Sequence, residues 1–324
     1  MKALSFKSTI IAFSLFAFNA CRCSSPTVFS HQPEVDINDT LQLIVAEAME
    51  KPIADRNPDW ACAILLNKEG QIVALFDTDS AQSHINQDMR VGSILKPFTI
   101  LGALLTDSID STTVYPVSKK GIRWGKSFIW DAYPMDSMLT VKDIIAVSSN
   151  IGEFEIISNV YRHPDTLKLF NEYMRMFGIN THTDSCPDLL RQVFQGELTT
   201  SPIHLVWLYH CLAQNLLPEE WKDVVNIVRD GLHEAVWNKI GSASKLPWTY
   251  GAQSKTVQLI GETGSVRINN NPWHHTISFC GIFPEENPKY TCLVMISNPS
   301  YPYSERMDCA APVRKIAERI TAKQ

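Results

Sequence analysis

The chain has 324 residues, 45% of them hydrophobic and 19% charged, with a net charge of -5. That apolar content supports one large or two intertwined domains and excludes wholesale disorder, while the mild acidity argues against nucleic acid as a partner. Fourteen Gly and eighteen Pro without a period exclude collagen-like and solenoid chains, and eight Cys over this length do not make a disulfide framework.

In chain order, the first element is a targeting segment. Lys2 and Lys7 precede a mostly apolar run over 8–20 that ends in Ala20 before Cys21. The run is shorter than the roughly 20 apolar residues a membrane span needs, so 1–20 reads as a secretory signal. Phe18-Asn19-Ala20-Cys21 resembles a bacterial lipoprotein signal, in which Cys21 is acylated and becomes the mature N-terminus. Leu is usual where Phe18 stands, and an ordinary cleaved signal is the other reading. The polar stretch that follows predicts a tether over 21–57, with a folded domain over 58–324. No other segment reads as a membrane span.

Residues 60–79 are two apolar runs around Lys68-Glu69-Gly70 and predict a β-hairpin. Residues 93–240 are dominated by helical periodicity, at 93–105, 140–161, 165–178 and 201–215. A strand candidate follows over 256–268, then a second hairpin over 276–299 that turns at Pro284-Glu285-Glu286-Asn287-Pro288. The C-terminal residues 311–323 form an amphipathic, basic closing helix. Strands at both ends with helices between them predict an α/β fold of α+β type, a mainly antiparallel sheet with a large helical insertion. Strand–helix alternation, which a doubly wound parallel sheet needs, is absent. Cys62, Cys280 and Cys292 sit in apolar strand-like runs as buried small hydrophobes, and a Cys280–Cys292 bridge across the hairpin is the alternative. No phosphate loop or metal-ligand spacing appears, so no cofactor or metal is predicted; His274-His275 reads as a solvated or structural pair.

Three short motifs can carry chemistry. Ser93-Ile94-Leu95-Lys96 opens an apolar helix, where i and i+3 share a face, so Lys96 can act as the base that a serine nucleophile requires. Ser242-Ala243-Ser244-Lys245 has the same spacing, which makes such a match weak alone. Ser148-Ser149-Asn150 offers a hydroxyl and an amide, or simply a helix cap. Glu262-Thr263-Gly264-Ser265 lies on the strand candidate, where Gly264 admits a close ligand and the hydroxyls suit a carboxylate, or the segment is a bulge in an ordinary strand.

Together and in this order, the three resemble the Ser-x-x-Lys, Ser-x-Asn and Lys-Thr-Gly triplet of penicillin-binding transpeptidases and serine β-lactamases. Residues 90–99, 146–152, 193–215 and 277–296 resemble the matching segments of that family, so the resemblance covers about 58–318. It is nearest to the transpeptidase domain of class B penicillin-binding proteins. It implies the β-lactamase/transpeptidase-like fold and a D,D-transpeptidase or D,D-carboxypeptidase acting on peptidoglycan stem peptides and acylated by β-lactam antibiotics. By the same resemblance Ser93 attacks the carbonyl between two D-alanines and Lys96 takes its proton. Ser148 passes a proton to the leaving D-alanine, and Asn150 holds the substrate backbone. Thr263 and Ser265 hold the terminal carboxylate, and the Ser93 and Ser265 amides form the oxyanion hole. With the lipid anchor at Cys21, it implies an envelope protein facing the periplasm.

The sequence departs from the family at the third motif, where Glu262 stands in place of lysine. Three outcomes are open: Arg267 supplies the charge, Glu262 is protonated or pairs with Lys96, or catalysis is lost and a binding fold remains. A second departure is size, with about forty residues between Cys21 and the first strand. A serine β-lactamase is the remaining alternative. Asn150 counts against class D, and no further carboxylate motif is evident for activating water.

Overall fold

The computed structural model describes residues 33–323 except 80, 82, 180, 182, 196, 245–250, 269, 270, 272 and 273. The predicted signal, Cys21 and Lys245 lie outside the described residues. The first hairpin is β1 (Trp60–Asn67) and β2 (Ile72–Asp77), and its turn uses Gly70 at φ +82°. The last strands are β9 (Ile260–Arg267), β10 (His275–Phe283) and β11 (Tyr290–Ser297). They join the hairpin in one antiparallel sheet of order β2-β1-β11-β10-β9, so the strands of the two chain ends share a sheet as the sequence predicts.

Helices bury both faces of this sheet. Cys62, Ile64 and Leu66 of β1 enter one core, and Ala61, Ala63 and Leu65 enter the other. A two-residue period with both faces buried gives continuous apolar strands rather than alternating ones. On one side lies the helical insertion: α2 (Lys96–Leu104), α3 (Val141–Ala146), α4 (Asn150–Val160), α5 (Pro164–Met176), α6 (Cys186–Phe194), α7 (Pro202–Ala213) and α8 (Lys222–Trp237). Short two-stranded pairs interrupt it, among them β4 (Val114–Val117) with β7 (Ser137–Thr140), and β5 (Ile122–Trp124) with β6 (Ser127–Ile129). β3 (Met89–Arg90) pairs with β8 (Thr199–Thr200). On the other side lie α1 (Asp39–Arg56) and α9 (Ala311–Thr321).

Two expectations change. Residues 21–32 of the predicted tether lie outside the described residues, and the helix α1 occupies 39–56 of the rest. Asn38 caps it by accepting from the Leu41 amide at 3.1 Å, and Ile44, Val45, Ala48, Met49 and Pro52 form its buried stripe. Polar flanks and an internal proline disguise that stripe in the sequence. Before the helix, Asp36 and Asn38 amides bond to Ile72 and Val73 carbonyls, so this segment covers the β2 edge. The Cys280–Cys292 bridge is the second. Cys280 pairs with Leu293 and Cys292 with Gly281, one residue out of register, so the two thiols point to opposite cores. Cys62, Cys280 and Cys292 are buried free thiols.

If α1 belongs to the core, Ile44→Ala leaves a cavity and lowers stability by about 2–5 kcal/mol. Urea denaturation of the two proteins measures this; unchanged midpoints would return the segment to a tether.

Candidate active site

Ser93 sits in a tight 3₁₀ turn, Gly92–Leu95, that runs directly into α2. The turn lies against β9, and two glycines allow it. Gly92 has φ +66°, and a Cβ there would stand 2.5 Å from the Ser265 carbonyl oxygen. From the strand side, a Cβ on Gly264 would stand 2.3 Å from Ser278 Oγ and 2.8 Å from Ile94 Cβ. Only residues without a Cβ tolerate such an approach. The Tyr209 hydroxyl, reaching from α7, donates to the Ile94 carbonyl at 2.7 Å and pins the turn from behind.

Lys96, one turn on from Ser93, is 1% exposed. Its ammonium donates to the Ser148 carbonyl at 2.8 Å, to Ser148 Oγ at 3.2 Å and to Asn150 Oδ1 at 3.2 Å. A buried charge must find such partners or lose its proton. The sequence pattern over 140–161 is therefore not one helix. It breaks after α3, where Ser148 takes a left-handed backbone with φ +50°, a conformation that costs a non-glycine residue about 1 kcal/mol or more. That bend aims the Ser148 carbonyl and hydroxyl at Lys96.

Between Ser148 and Asn150, Ser149 is the helix cap. Its hydroxyl accepts from the Gly152 amide at 2.9 Å and donates to Asp131 Oδ2 at 2.8 Å, while Asp131 Oδ1 accepts from the Ile151 amide at 3.0 Å. Asn150 donates through its side-chain amide to the Trp130 carbonyl at 3.0 Å. The helix cap and the residues that hold Lys96 thus stand side by side.

Two carboxyl groups flank this cluster. Glu262 is fully buried on β9; Ser242 Oγ and Thr263 Oγ1 reach its Oε1 at 3.4 Å each, and its Oε2 has no hydrogen-bond partner. Burial pushes the Glu262 carboxyl up to about 8, against the pull of Lys96 and the Ser148 hydroxyl. Glu153, on the first turn of α4, is 4% exposed. Its Oε2 lies 3.7 Å from Lys96 Nζ, and its Oε1 accepts from Thr99 Oγ1 at 2.7 Å. Burial raises this carboxyl too, opposed by Lys96 and Thr99.

Strand alternation separates the third motif. Glu262 and Gly264 face the helical core, while Thr263, Ser265 and Arg267 face the other way. Arg267 is exposed at the end of β9 and does not reach Glu262. Its charge acts instead on His275 and Tyr303. His274 is exposed, and His275 bonds to the Tyr303 hydroxyl. The Ser265 hydroxyl is paired with Glu305, whose carboxyl burial raises and that bond opposes. The neighbouring Arg306 is 3% exposed and turned to the Ser242 and Gly241 carbonyls at 2.6 and 2.9 Å, with the Tyr133 ring 4.5 Å from its Cζ. Cavities of about 410 Å³ beside Trp124 and Arg191 and about 360 Å³ beside Lys255 and Glu285 lie away from Ser93.

Asp131, Glu153, Ser242, Glu305 and Arg306 escape the sequence motifs. An acidic residue in a first helical turn is commonplace, which hides Glu153. Ser242 does stand in the second Ser-x-x-Lys match, where spacing alone gives it no role. Asp131 and Arg306 carry no local signal.

A family profile described as the penicillin binding protein transpeptidase domain matches residues 61–321. A curated relative, the peptidoglycan D,D-transpeptidase FtsI homolog of Mesostigma viride, is 38% identical over 89% of this chain and 60% of its own length. The chain therefore spans between about half and three fifths of the length of the curated relatives it matches. A peptidoglycan glycosyltransferase structure from Burkholderia ambifaria shares the fold with a TM-score of 0.73 at 18% identity, covering 89% of this chain and 96% of that one. The transpeptidase domain of penicillin-binding protein 3 from Burkholderia pseudomallei gives 0.71 at 17% identity, covering 89% and 95%. With its profile match running from β1 to the last helix, this chain belongs to the penicillin-binding protein transpeptidase family.

Proposed function

We propose that the chain is a peptidoglycan D,D-transpeptidase or D,D-carboxypeptidase that forms an acyl-enzyme on Ser93 and binds penicillin. The observation that carries this is the buried Lys96 ammonium, held by Ser148 and Asn150 one turn from Ser93. In its neutral form Lys96 takes the Ser93 proton as the hydroxyl attacks the carbonyl between two D-alanines. The Ser93 and Ser265 amides receive the oxyanion, a contribution of ~3–4 kcal/mol in such sites. The packing of Gly92 on Ser265 supports that pairing. Lys96 returns its proton through Ser148 to the leaving D-alanine, and the acyl group passes to an amine or to water. Thr263 and Ser265 take the donor's carboxylate, which requires the Ser265–Glu305 pair to open. Acylation at Cys21 would tether the domain to a membrane, facing the periplasm, where peptidoglycan lies.

The position of Glu262 favours a second reading, an impaired site on an intact fold, because an ionised carboxylate would oppose the motif lysine's charge. Burial argues for the acid form instead. A neutral carboxyl at Glu262 adds no anion beside Ser148, and its O–H is a donor. A β-lactamase is the weaker alternative. Glu153 is a carboxylate near Lys96, but it is bonded to Thr99, a turn beyond Lys96 on α2 and further still from Ser93.

Incubation with benzylpenicillin is expected to add one penicillin to the wild type and none to Ser93→Ala, read by intact mass. A long-lived adduct identifies a transpeptidase or carboxypeptidase, and rapid turnover of free drug a β-lactamase. No adduct, with acylation restored by Glu262→Lys, establishes the impaired reading.

Glu262 also predicts a pH signature. Its carboxyl titrates at about 8 in the folded chain against an ordinary value of 4.5. The stability it contributes is therefore fully present below about pH 4.5 and is lost as pH rises toward 8, by an amount on the order of 5 kcal/mol. Glu262→Gln keeps the shape and removes the titration. Its thermal midpoint should gain on the wild type's steadily between pH 5 and 8; parallel curves would show that Glu262 is not a buried acid.

A further inference from the structure

Resting on the acyl-enzyme reading, we propose that Glu153 takes the proton that Lys96 must lose before it can activate Ser93. Lys96 offers its three N–H groups to three acceptors, Ser148 O, Ser148 Oγ and Asn150 Oδ1. Arranged so, it is an ammonium with no lone pair, and an ammonium cannot accept the Ser93 proton. Its proton needs a destination inside a site closed to water, since Lys96 is 1% and Glu153 4% exposed. The Ser148 carbonyl and the Asn150 amide oxygen do not hold a proton at neutral pH. The carboxylate paired with the amine is Glu153, its Oε2 at 3.7 Å, so one N–H swings to it from Ser148 Oγ or Asn150 Oδ1 to pass the proton; Glu262 meets Lys96 from β9 across Ser148.

The step balances within the pair. Lys96-NH3⁺ and Glu153-COO⁻ become Lys96-NH2 and Glu153-COOH. The new N–H for each later step then comes from Ser93 and leaves through Ser148 to the departing amine, while Glu153 keeps its proton throughout. Transfer removes two charges from a dry interior and replaces them with two neutral groups, which low dielectric favours. Burial raises the affinity of the Glu153 carboxyl for that proton, and the Thr99 bond to Oε1 trims it. Glu153 does not touch the substrate. It is a positioning residue that acts through Lys96.

Other groups around α4 do not compete for this role. Tyr115 on β4 faces Glu155, Cys186 on α6 bonds to the Ile157 carbonyl, and Asp143 on α3 is engaged with Thr140 in a capping box. Tyr209 from α7 and Cys280 from β10 lie by Glu262, and burial keeps both protonated.

The test is the pH dependence of Ser93 acylation by benzylpenicillin from pH 5 to 10, on wild type, Glu153→Gln and Thr99→Val. In the wild type, acylation fails at low pH only when Glu153 takes a second proton onto the pair. Gln accepts none, so in Glu153→Gln the acid limb moves up by about one pH unit or more, with about tenfold slower acylation at pH 7 and recovery toward the wild-type rate at high pH. Thr99→Val strips the bond that favours the carboxylate and moves the limb the same way by less. A merely structural role would lower the rate at every pH alike. A counter-ion that never takes the proton would move the Glu153→Gln limb down, because removing an anion eases the loss of the Lys96 proton. Either result overturns the inference while leaving the acyl-enzyme in place. If Glu153→Gln does not fold, an unmoved limb in Thr99→Val overturns it. No adduct on wild type overturns this inference and the acyl-enzyme reading together.

Discussion

The burial of one ammonium group governs the geometry of this site. A lysine that is 1% exposed has to be met by fixed acceptors, since its desolvation costs several kcal/mol otherwise. The chain meets it by bending between α3 and α4, where Ser148 adopts φ +50° and turns two oxygens inward. The bend holds because Ser149 caps α4 and Asp131 binds both the cap hydroxyl and the next amide. Each support is cheap alone, about 1 kcal/mol for a cap, but together they fix the position of the Ser148 hydroxyl and the Asn150 amide that face Lys96.

The same burial sets the electrostatics of the cluster. One cation, Lys96, faces two carboxyls, Glu153 and Glu262. At ~4 Å and an effective dielectric near 20, a charge pair is worth about 4 kcal/mol, so three ionised groups would lock the lysine as an ammonium. Burial works against that outcome by raising both carboxyls. The cluster can hold its protons on oxygen and leave the nitrogen free. The depth at which Glu262 lies thus softens its effect on Lys96.

Much of this was legible in the residues. The apolar runs of β1, β10 and β11 announced strands, which the structure buries on both faces, and the short turn at 284–288 made two of them neighbours. The motifs Ser93–Lys96 and Ser148–Asn150 were visible because their spacing is local, and the structure brings Lys96, Ser148 and Asn150 together. What stayed hidden depends on distant partners. Asp131 braces a cap eighteen residues away, and Glu153 matters only because α2 brings Lys96 and Thr99 against it. The helix α1 was obscured by polar flanks and Pro52, and its apolar stripe has meaning only once α9 and β2 lie beneath it, joined at the surface by the Arg319–Glu47 ion pair. Arg267 looked like a substitute cation because it is near Glu262 along the strand, but five residues is an odd number, and an odd number reverses the face.

The remaining cation, Arg306, is committed to structure. Its guanidinium donates to the carbonyls of Gly241 and Ser242 and lies against the Tyr133 ring, a planar arrangement that a lysine could not reproduce. Through Ser242, whose amide bonds to the Ala146 carbonyl and whose hydroxyl faces Glu262, it ties the segment after α8 to the end of α3. Its neighbour Glu305 holds Ser265 on the opposite face of β9. One short segment, Glu305–Ala310, therefore braces β9 from both sides. Releasing Arg306 would strand two carbonyls and loosen β9. Under the proposed acyl-enzyme reading, a donor carboxylate is better accommodated by a rotation of Glu305 away from Ser265, which costs one hydrogen bond at a half-buried position and leaves the strand where it is.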